Sequence, residues 1–312
     1  MHIPDGFLSG TIAATTWAGG AASLAWSLRA ERSLPDRTPA GTLGALAAFT
    51  FAAQLVNMPI LPGTSGHLVG GMLAAAIVGP SRGLLVMAVV LAVQALLFQD
   101  GGVTAYGANL LSMGAFGALG GYAVAALVAR LWPGIRGLVA GPVIGAFVAT
   151  LAGAAFVALV LAASGLYPIA VVLPLMLSLH VPIALIEAGL TGAILATLAR
   201  WRPDLLHRRE RAGGRGSAAW GLFVLALAVA AFAAPFASSL PDGLETAARR
   251  LGFAAAARPL WPAPAPDYEP RWLAASRVGT ALAGLVGTLA AAALAWALTR
   301  RLGRARAVEP HR

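Results

Sequence analysis

The chain has 312 residues, of which 59% are hydrophobic and only 11% are charged, and its formal net charge is +10. Since a typical soluble domain carries about 25% charged residues, this composition excludes an ordinary soluble protein and predicts an all-α integral membrane protein. The absence of cysteine excludes disulfides, thiolate zinc sites and iron–sulfur clusters, and the absence of lysine excludes a Walker-type ATPase.

Apolar stretches of about 20 residues, the length that crosses a bilayer, recur along the whole chain. They predict about nine transmembrane helices, at residues 8–28, 41–59, 66–79, 83–98, 107–129, 137–163, 169–199, 217–237 and 277–299. The third helix is short for a full span. The seventh contains Pro174 and Pro182, which predict a kink or a break in it.

The distribution of arginine predicts the orientation of these helices. With the N-terminus outside and the C-terminus in the cytoplasm, most arginines fall on cytoplasmic segments, as the positive-inside rule requires. This bias predicts the orientation of a multi-pass membrane protein surrounded by lipid, and it explains the net charge without a nucleic acid. A polar cytoplasmic linker, 201–216, divides a seven-helix module, residues 1–200, from a two-helix module, residues 217–312. His207 in this linker is interpreted as solvent-exposed.

The N-terminal dipeptide Met1-His2 offers an unusual set of metal ligands. The α-amine, the amide nitrogen of His2 and its imidazole Nδ1 can close a five-membered and a six-membered chelate ring on one ion. His67, which follows the turn 62–66, is the natural fourth nitrogen, although a histidine hydrogen-bonded to a carbonyl at a helix start fits the spacing equally well. Four nitrogens in a plane favour Ni(II) or Cu(II), so Met1, His2 and His67 are the predicted metal site.

Six further polar residues are candidates for supporting these ligands. Four of them cluster at the outer ends of the fourth and fifth helices and either orient the imidazoles or form a polar turn: Gln94, Gln99, Asp100 and Asn109. His180 and Glu187 lie two turns apart in the seventh helix. Either His180 is a third histidine ligand, or the two residues form a structural pair. The sequence contains no evident constellation for hydrolytic catalysis, and no permanent cofactor is predicted.

With these residues assembled, the chain resembles the substrate-capture component of nickel and cobalt energy-coupling-factor importers, the NikM/CbiM family. The matching segments cover about residues 1–200 and are Met1-His2-Ile3-Pro4-Asp5-Gly6, Asn57-Met58-Pro59 through Gly63-Thr64-Ser65-Gly66-His67, Phe98-Gln99-Asp100-Gly101-Gly102, and His180-Val181-Pro182-Ile183 with Glu187. The resemblance implies metal ligands at Met1, His2 and His67. It also implies two kinds of partner, a transmembrane scaffold subunit and a pair of cytoplasmic ATPases, so the chain itself is expected to be a transport component and not an enzyme.

The second module resembles the small accessory component of the same systems, which is NikN-like and carries a PDGLE loop, here Pro241-Asp242-Gly243-Leu244-Glu245. This feature favours Ni(II) as the transported substrate, with Co(II) uptake for cobalamin synthesis as the alternative. The loop is expected to reach across the mouth of the capture module and to assist loading or release without supplying a principal ligand; the alternative is a passive connector. The alternatives from other classes are a metal exporter or channel and an intramembrane metalloenzyme.

Overall fold

The computed structural model describes residues 1–34, 38–201, 215–273 and 276–308. Its helices in chain order are α1 (Gly10–Ser33), α2 (Ala40–Gln54), α3 (Gly71–Val78), α4 (Pro80–Val93), α5 (Tyr106–Asn109), α6 (Tyr122–Leu131), α7 (Ile135–Ala163), α8 (Ile169–Trp201), α9 (Arg215–Ala228), α10 (Gly243–Leu251) and α11 (Arg277–Val308). Three π-helical segments extend α4, α5 and α9: Gln94–Phe98, Leu110–Gly121 and Val229–Ala233. Most of the predicted linker, including His207, lies outside the described residues.

The prediction of an all-α membrane protein is confirmed, whereas the count of nine transmembrane helices is not. In the described part of the chain, six helical segments are long and apolar enough to cross a membrane: Pro80–Phe98, Tyr106–Leu131, Arg136–Ala163, Ile169–Trp201, Ala219–Phe236 and Arg277–Leu302. Helix α1 has sufficient length, but its many glycine, serine and threonine residues make it less apolar than these six segments. Helices α2 and α3 have only 15 and 8 residues and are too short to span by themselves.

A β-hairpin replaces the predicted ends of the second and third helices. Strands β1 (Met58–Leu61) and β2 (Thr64–Gly66) pair antiparallel, so α2 stops at Gln54 and α3 begins only at Gly71. Two prolines, at positions 59 and 62, disfavour helix here, and Gly63 has the positive φ of +75° that the turn requires. The hairpin carries the chain to His67 outside any helix.

Of the kink or break predicted in the seventh helix, the break does not occur, because α8 runs without interruption from Ile169 to Trp201 with Pro174 and Pro182 inside it. Proline is tolerated within membrane helices when neighbouring groups satisfy the backbone that it frees. The continuous helix places His180 and Glu187 on one buried face.

The second module packs directly against the first. Helices α9 and α11 contribute alanines to a buried cluster with Phe51 of α2, and α10 contributes Leu244 to a cluster with Ile3 of the N-terminal segment. Backbone pairing adds to this, because Ser65 of β2 donates its N–H to the carbonyl of Pro241 at 2.8 Å. Complete burial of Ile3 stabilises this packing by about 1.5–3 kcal/mol relative to an exposed side chain.

Candidate metal centre

The N-terminal segment is inserted into the core. The exposed fractions of Met1, His2 and Ile3 are 5%, 8% and 0%. Asn109 holds the backbone of Ile3 from both sides, because its Oδ1 accepts the N–H at 2.8 Å and its Nδ2 donates to the carbonyl at 3.0 Å. Gly102 donates its N–H to the same carbonyl at 2.8 Å. Asn109 thus contacts the backbone of the residue that follows His2, and not an imidazole.

Gly102 lies so close to Asp5 that no side chain fits there. A Cβ atom at position 102 would collide with the backbone nitrogen and the carboxylate of Asp5. We expect Gly102→Ala to displace the N-terminal segment, to lower the free energy of unfolding by about 1–3 kcal/mol and to weaken metal binding. Thermal unfolding and metal titration check this. Gly10→Ala is the control, because a Cβ there meets nothing within 4 Å; equal behaviour of the two variants would contradict the prediction.

The imidazole rings of His2 and His67 lie stacked at the inner end of this segment, with their centroids 5.4 Å apart and their planes at 24°. Nδ1 of His67 donates to the carbonyl of Leu68 at 2.9 Å, which leaves the lone pair on Nε2. Removal of its ring from water, assisted by the charge of the nearby α-amine, lowers the pKa of His67 to about 4. His67 is thus neutral at pH 7, which is the form that binds a metal.

Both ring nitrogens of His2 contact oxygen atoms of the predicted supporting cluster. Nδ1 lies 2.9 Å from Asp100 Oδ1, and Nε2 lies 3.1 Å from Gln94 Oε1. The second carboxylate oxygen of Asp100 accepts a hydrogen bond of 2.5 Å from the hydroxyl of Tyr268 in the accessory module. Burial alone would raise the pKa of Asp100, but the charge and hydrogen bond of His2 outweigh this effect and lower it to about 2. A chelate through Nδ1 requires this nitrogen to leave Asp100.

The α-amine of Met1 contacts a residue that sequence reasoning did not include in the site. Its nitrogen donates to Asp242 Oδ2 at 2.7 Å, and Asp242 also forms a capping box with Glu245 at the start of α10. Burial favours a higher pKa for Asp242, but the charge of the amine dominates and holds the pKa well below its usual value. His2, His67 and Asp242 each bring one ligand atom within 4.8 Å of the others.

The remaining predicted residues take other positions. Gln99 donates to the carbonyl of Trp261 at 2.6 Å, in the accessory loop between α10 and α11, and not toward the imidazoles. Nδ1 of His180 donates to the carbonyl of Met176 at 2.7 Å, and its ring packs against Gly243. Glu187 accepts the N–H groups of Val69 and Gly70 at 2.6 and 3.0 Å. Of these three, only Glu187 supports a predicted ligand, because it holds the loop that follows His67.

Sequence reasoning missed three residues that connect to the site: Gln54, Asp242 and Tyr268. Gln54 is a polar residue at the end of an otherwise apolar helix, which is a detectable signal. The capping-box pattern Asp-x-x-Glu marks Asp242 only as a helix start. Nothing in the local sequence singles out Tyr268, because its contact to Asp100 spans 168 positions of the chain.

Comparison with known proteins yields two family models that together account for most of the chain. The model of the cobalt uptake substrate-specific transmembrane region matches residues 2–205, and the model of the PDGLE domain matches residues 216–304.

Some relatives of this chain are named for nickel transport and others for cobalt transport. A protein of Archaeoglobus fulgidus, provisionally named fused nickel transport protein NikMN, is 35% identical over 96% of this chain and 98% of its own length. The fused nickel transport protein NikMN of Rhodobacter capsulatus is 32% identical over 97% and 100%, and the cobalt transport protein CbiM of Geobacter sulfurreducens is 32% identical over 70% and 65%. A crystal structure of a truncated transition metal transporter superposes with a TM-score of 0.58 at 29% identity, covering 64% of this chain and 99% of that one.

Proposed function

The chain belongs to the family of cobalt uptake substrate-specific transmembrane proteins and carries a C-terminal PDGLE domain, and from this premise we propose that it captures Ni(II) for import. In this proposal residues 1–200 are the capture module, 217–312 are the accessory module, and Met1, His2 and His67 bind the ion. The site lies on the outer face of a bacterial cytoplasmic membrane. Transport is driven by a separate pair of cytoplasmic ATPases through a transmembrane scaffold subunit, as in energy-coupling-factor importers.

One observation carries the proposal: the chain buries its own α-amine beside two stacked imidazoles. An amine, an amide and an imidazole of one dipeptide form a chelate once the amide loses its proton, which Ni(II) and Cu(II) can drive. Neutral His67 then completes a set of four nitrogens, and such a set suits these two ions better than Zn(II). Ni(II) is favoured over Co(II) because two full-length relatives with this domain order carry a nickel name.

Metal titration of the purified chain tests the proposal. We expect Ni(II) to bind with one ion per chain and to release protons from the amine and the amide, so that affinity falls by at least about tenfold per unit decrease in pH. Isothermal titrations in two buffers with different ionisation enthalpies count the released protons. Co(II), Cu(II) and Zn(II) are titrated in parallel. A site that binds Ni(II) without releasing protons would contradict the chelate, and tighter binding of Co(II) than of Ni(II) would favour the cobalt alternative.

Asp242 is proposed to be a counter-charge for the amine and not a principal ligand. Asp242→Asn in the full-length chain keeps a good helix N-cap and removes the charge. We therefore expect Ni(II) affinity to change by less than about tenfold, the range of one exposed or partly exposed polar contact. Titration of this variant beside Asp267→Asn, which alters another carboxylate of the accessory loop, measures the effect. A loss of about a hundredfold or more in Asp242→Asn alone would make Asp242 a ligand.

A further inference from the structure

A chain of hydrogen bonds connects the loop after His67 to the imidazole of His2. Gln54 donates its Nε2 to the carbonyl of Val69 at 2.6 Å, and its Oε1 accepts Nε2 of Gln94 at 2.7 Å. Oε1 of Gln94 then lies 3.1 Å from Nε2 of His2. Both glutamines are buried, with exposed fractions of 3% and 0%. Gln94 also forms a hydrogen bond with the side chain of Tyr268.

The contact of Gln54 with Val69 determines which group donates in each of these hydrogen bonds. The carbonyl of Val69 can only accept a hydrogen bond, so the side-chain nitrogen of Gln54, and not its oxygen, must point toward this carbonyl. The oxygen of Gln54 then faces Gln94, which must turn its own nitrogen toward Gln54 and its oxygen toward His2. The Val69 peptide is itself held in place, because its N–H donates to Glu187 at 2.6 Å.

The consequence falls on His2. A carbonyl oxygen opposite Nε2 requires that nitrogen to donate, and the hydrogen bond of one ring nitrogen determines which nitrogen binds a metal. With Nε2 held by Gln94, Nδ1 is the ring nitrogen available to a metal once it leaves Asp100. Nδ1 is also the atom that closes a six-membered ring with the His2 amide. The π-helical turn that starts at Gln94 aims this side chain into the site.

We infer that Gln54 is a positioning residue that, through Gln94, keeps Nε2 of His2 a hydrogen-bond donor and thereby selects Nδ1 as the metal-binding atom. This inference rests on the proposed metal-capture function. It predicts that the orientation of the Gln94 amide, and not merely the volume of Gln54, controls affinity. In Gln54→Leu the amide of Gln94 loses its hydrogen bond to Gln54, keeps only the one to Tyr268, and can turn its nitrogen toward His2.

The experiment compares four full-length variants. Gln54→Leu is expected to lower Ni(II) affinity by about 10- to 100-fold, as for other residues that orient a metal ligand. The double variant Gln54→Leu with Gln94→Glu is expected to regain most of this affinity, because a carboxylate offers His2 only an acceptor. Gln94→Glu alone measures the effect of the added charge. Gln99→Leu is the matched control, because it removes a hydrogen bond of the same residue type that ends at Trp261.

A spectroscopic measurement separates positioning from packing. In the Cu(II)-loaded chain, pulsed EPR reports the quadrupole coupling of the remote imidazole nitrogen, which responds to its hydrogen-bond partner. We expect Gln54→Leu to change this signal and Gln99→Leu to leave it unchanged. An affinity loss that Gln94→Glu does not rescue, with an unchanged EPR signal, would reduce Gln54 to a packing residue and overturn the inference. Failure of the wild-type chain to bind any of the metals would instead overturn the proposed function.

Discussion

Two extra residues before Met1 are expected to lower Ni(II) affinity by roughly a hundredfold or more. Apparent binding energies of about 10–16 kcal/mol, measured for zinc peptides with four ligands, correspond to about 3 kcal/mol per ligand, or about a hundredfold. The extension converts the amine into an amide and moves the histidine to the fourth position, so that the native chelate is lost. The two added residues would also have to fit beside Asp242, which lies 2.7 Å from the amine, at a position where Met1 is only 5% exposed.

The length of the extension matters for the interpretation. A single added residue would place the histidine third, where the amine, two amides and the imidazole form a different chelate that also binds Ni(II). Two residues avoid this. The measurement is an isothermal titration before and after proteolytic removal of the extension, with the same two residues added at the C-terminus as a control. An extended chain that binds Ni(II) as tightly as the cleaved one would exclude the amine as a ligand.

His2→Ala and His67→Ala are each expected to lower Ni(II) affinity by about a hundredfold, again about 3 kcal/mol for one ligand of four. The His2→Ala variant lacks the second chelate ring. The His67→Ala variant lacks the neutral Nε2, which is the ring nitrogen left for a metal because Nδ1 is bonded to the carbonyl of Leu68. Equilibrium titration with Ni(II) measures both variants, and thermal unfolding verifies that they are folded.

Two other histidines are the controls for this pair. His207→Ala changes the predicted linker, outside the described residues, and is expected to leave affinity unchanged. His180→Ala changes a buried ring that packs against Gly243 and is expected to reduce affinity much less than His67→Ala does. If His67→Ala retained its affinity while His180→Ala lost it, His180 would replace His67 as the fourth ligand.

The sequence alone was sufficient for the membrane class, and it also supplies the candidate ligands, which stay a prediction. Both depend on local information. Long apolar stretches with 11% charged residues identify a membrane protein whatever its tertiary structure. The Met1-His2 chelate depends only on covalent distance from the amine, and His67 stands in a recognisable segment. For the same reason, the predicted boundaries were good where an apolar helix is long, as in α7 and α8.

Other parts of the architecture and the surroundings of the site required the tertiary structure. The hairpin at Met58–Gly66 interrupts an apolar stretch, and hydropathy cannot distinguish a short buried strand from the end of a helix. The partners of the ligands come from distant positions, since Met1 and Asp242 are 241 residues apart. Periodicity reports which face of a helix is apolar, but not which loop of another module will reach it. Gln99 and Asn109 show the same limit, because their place at a helix end was evident while the direction of each side chain depended on packing.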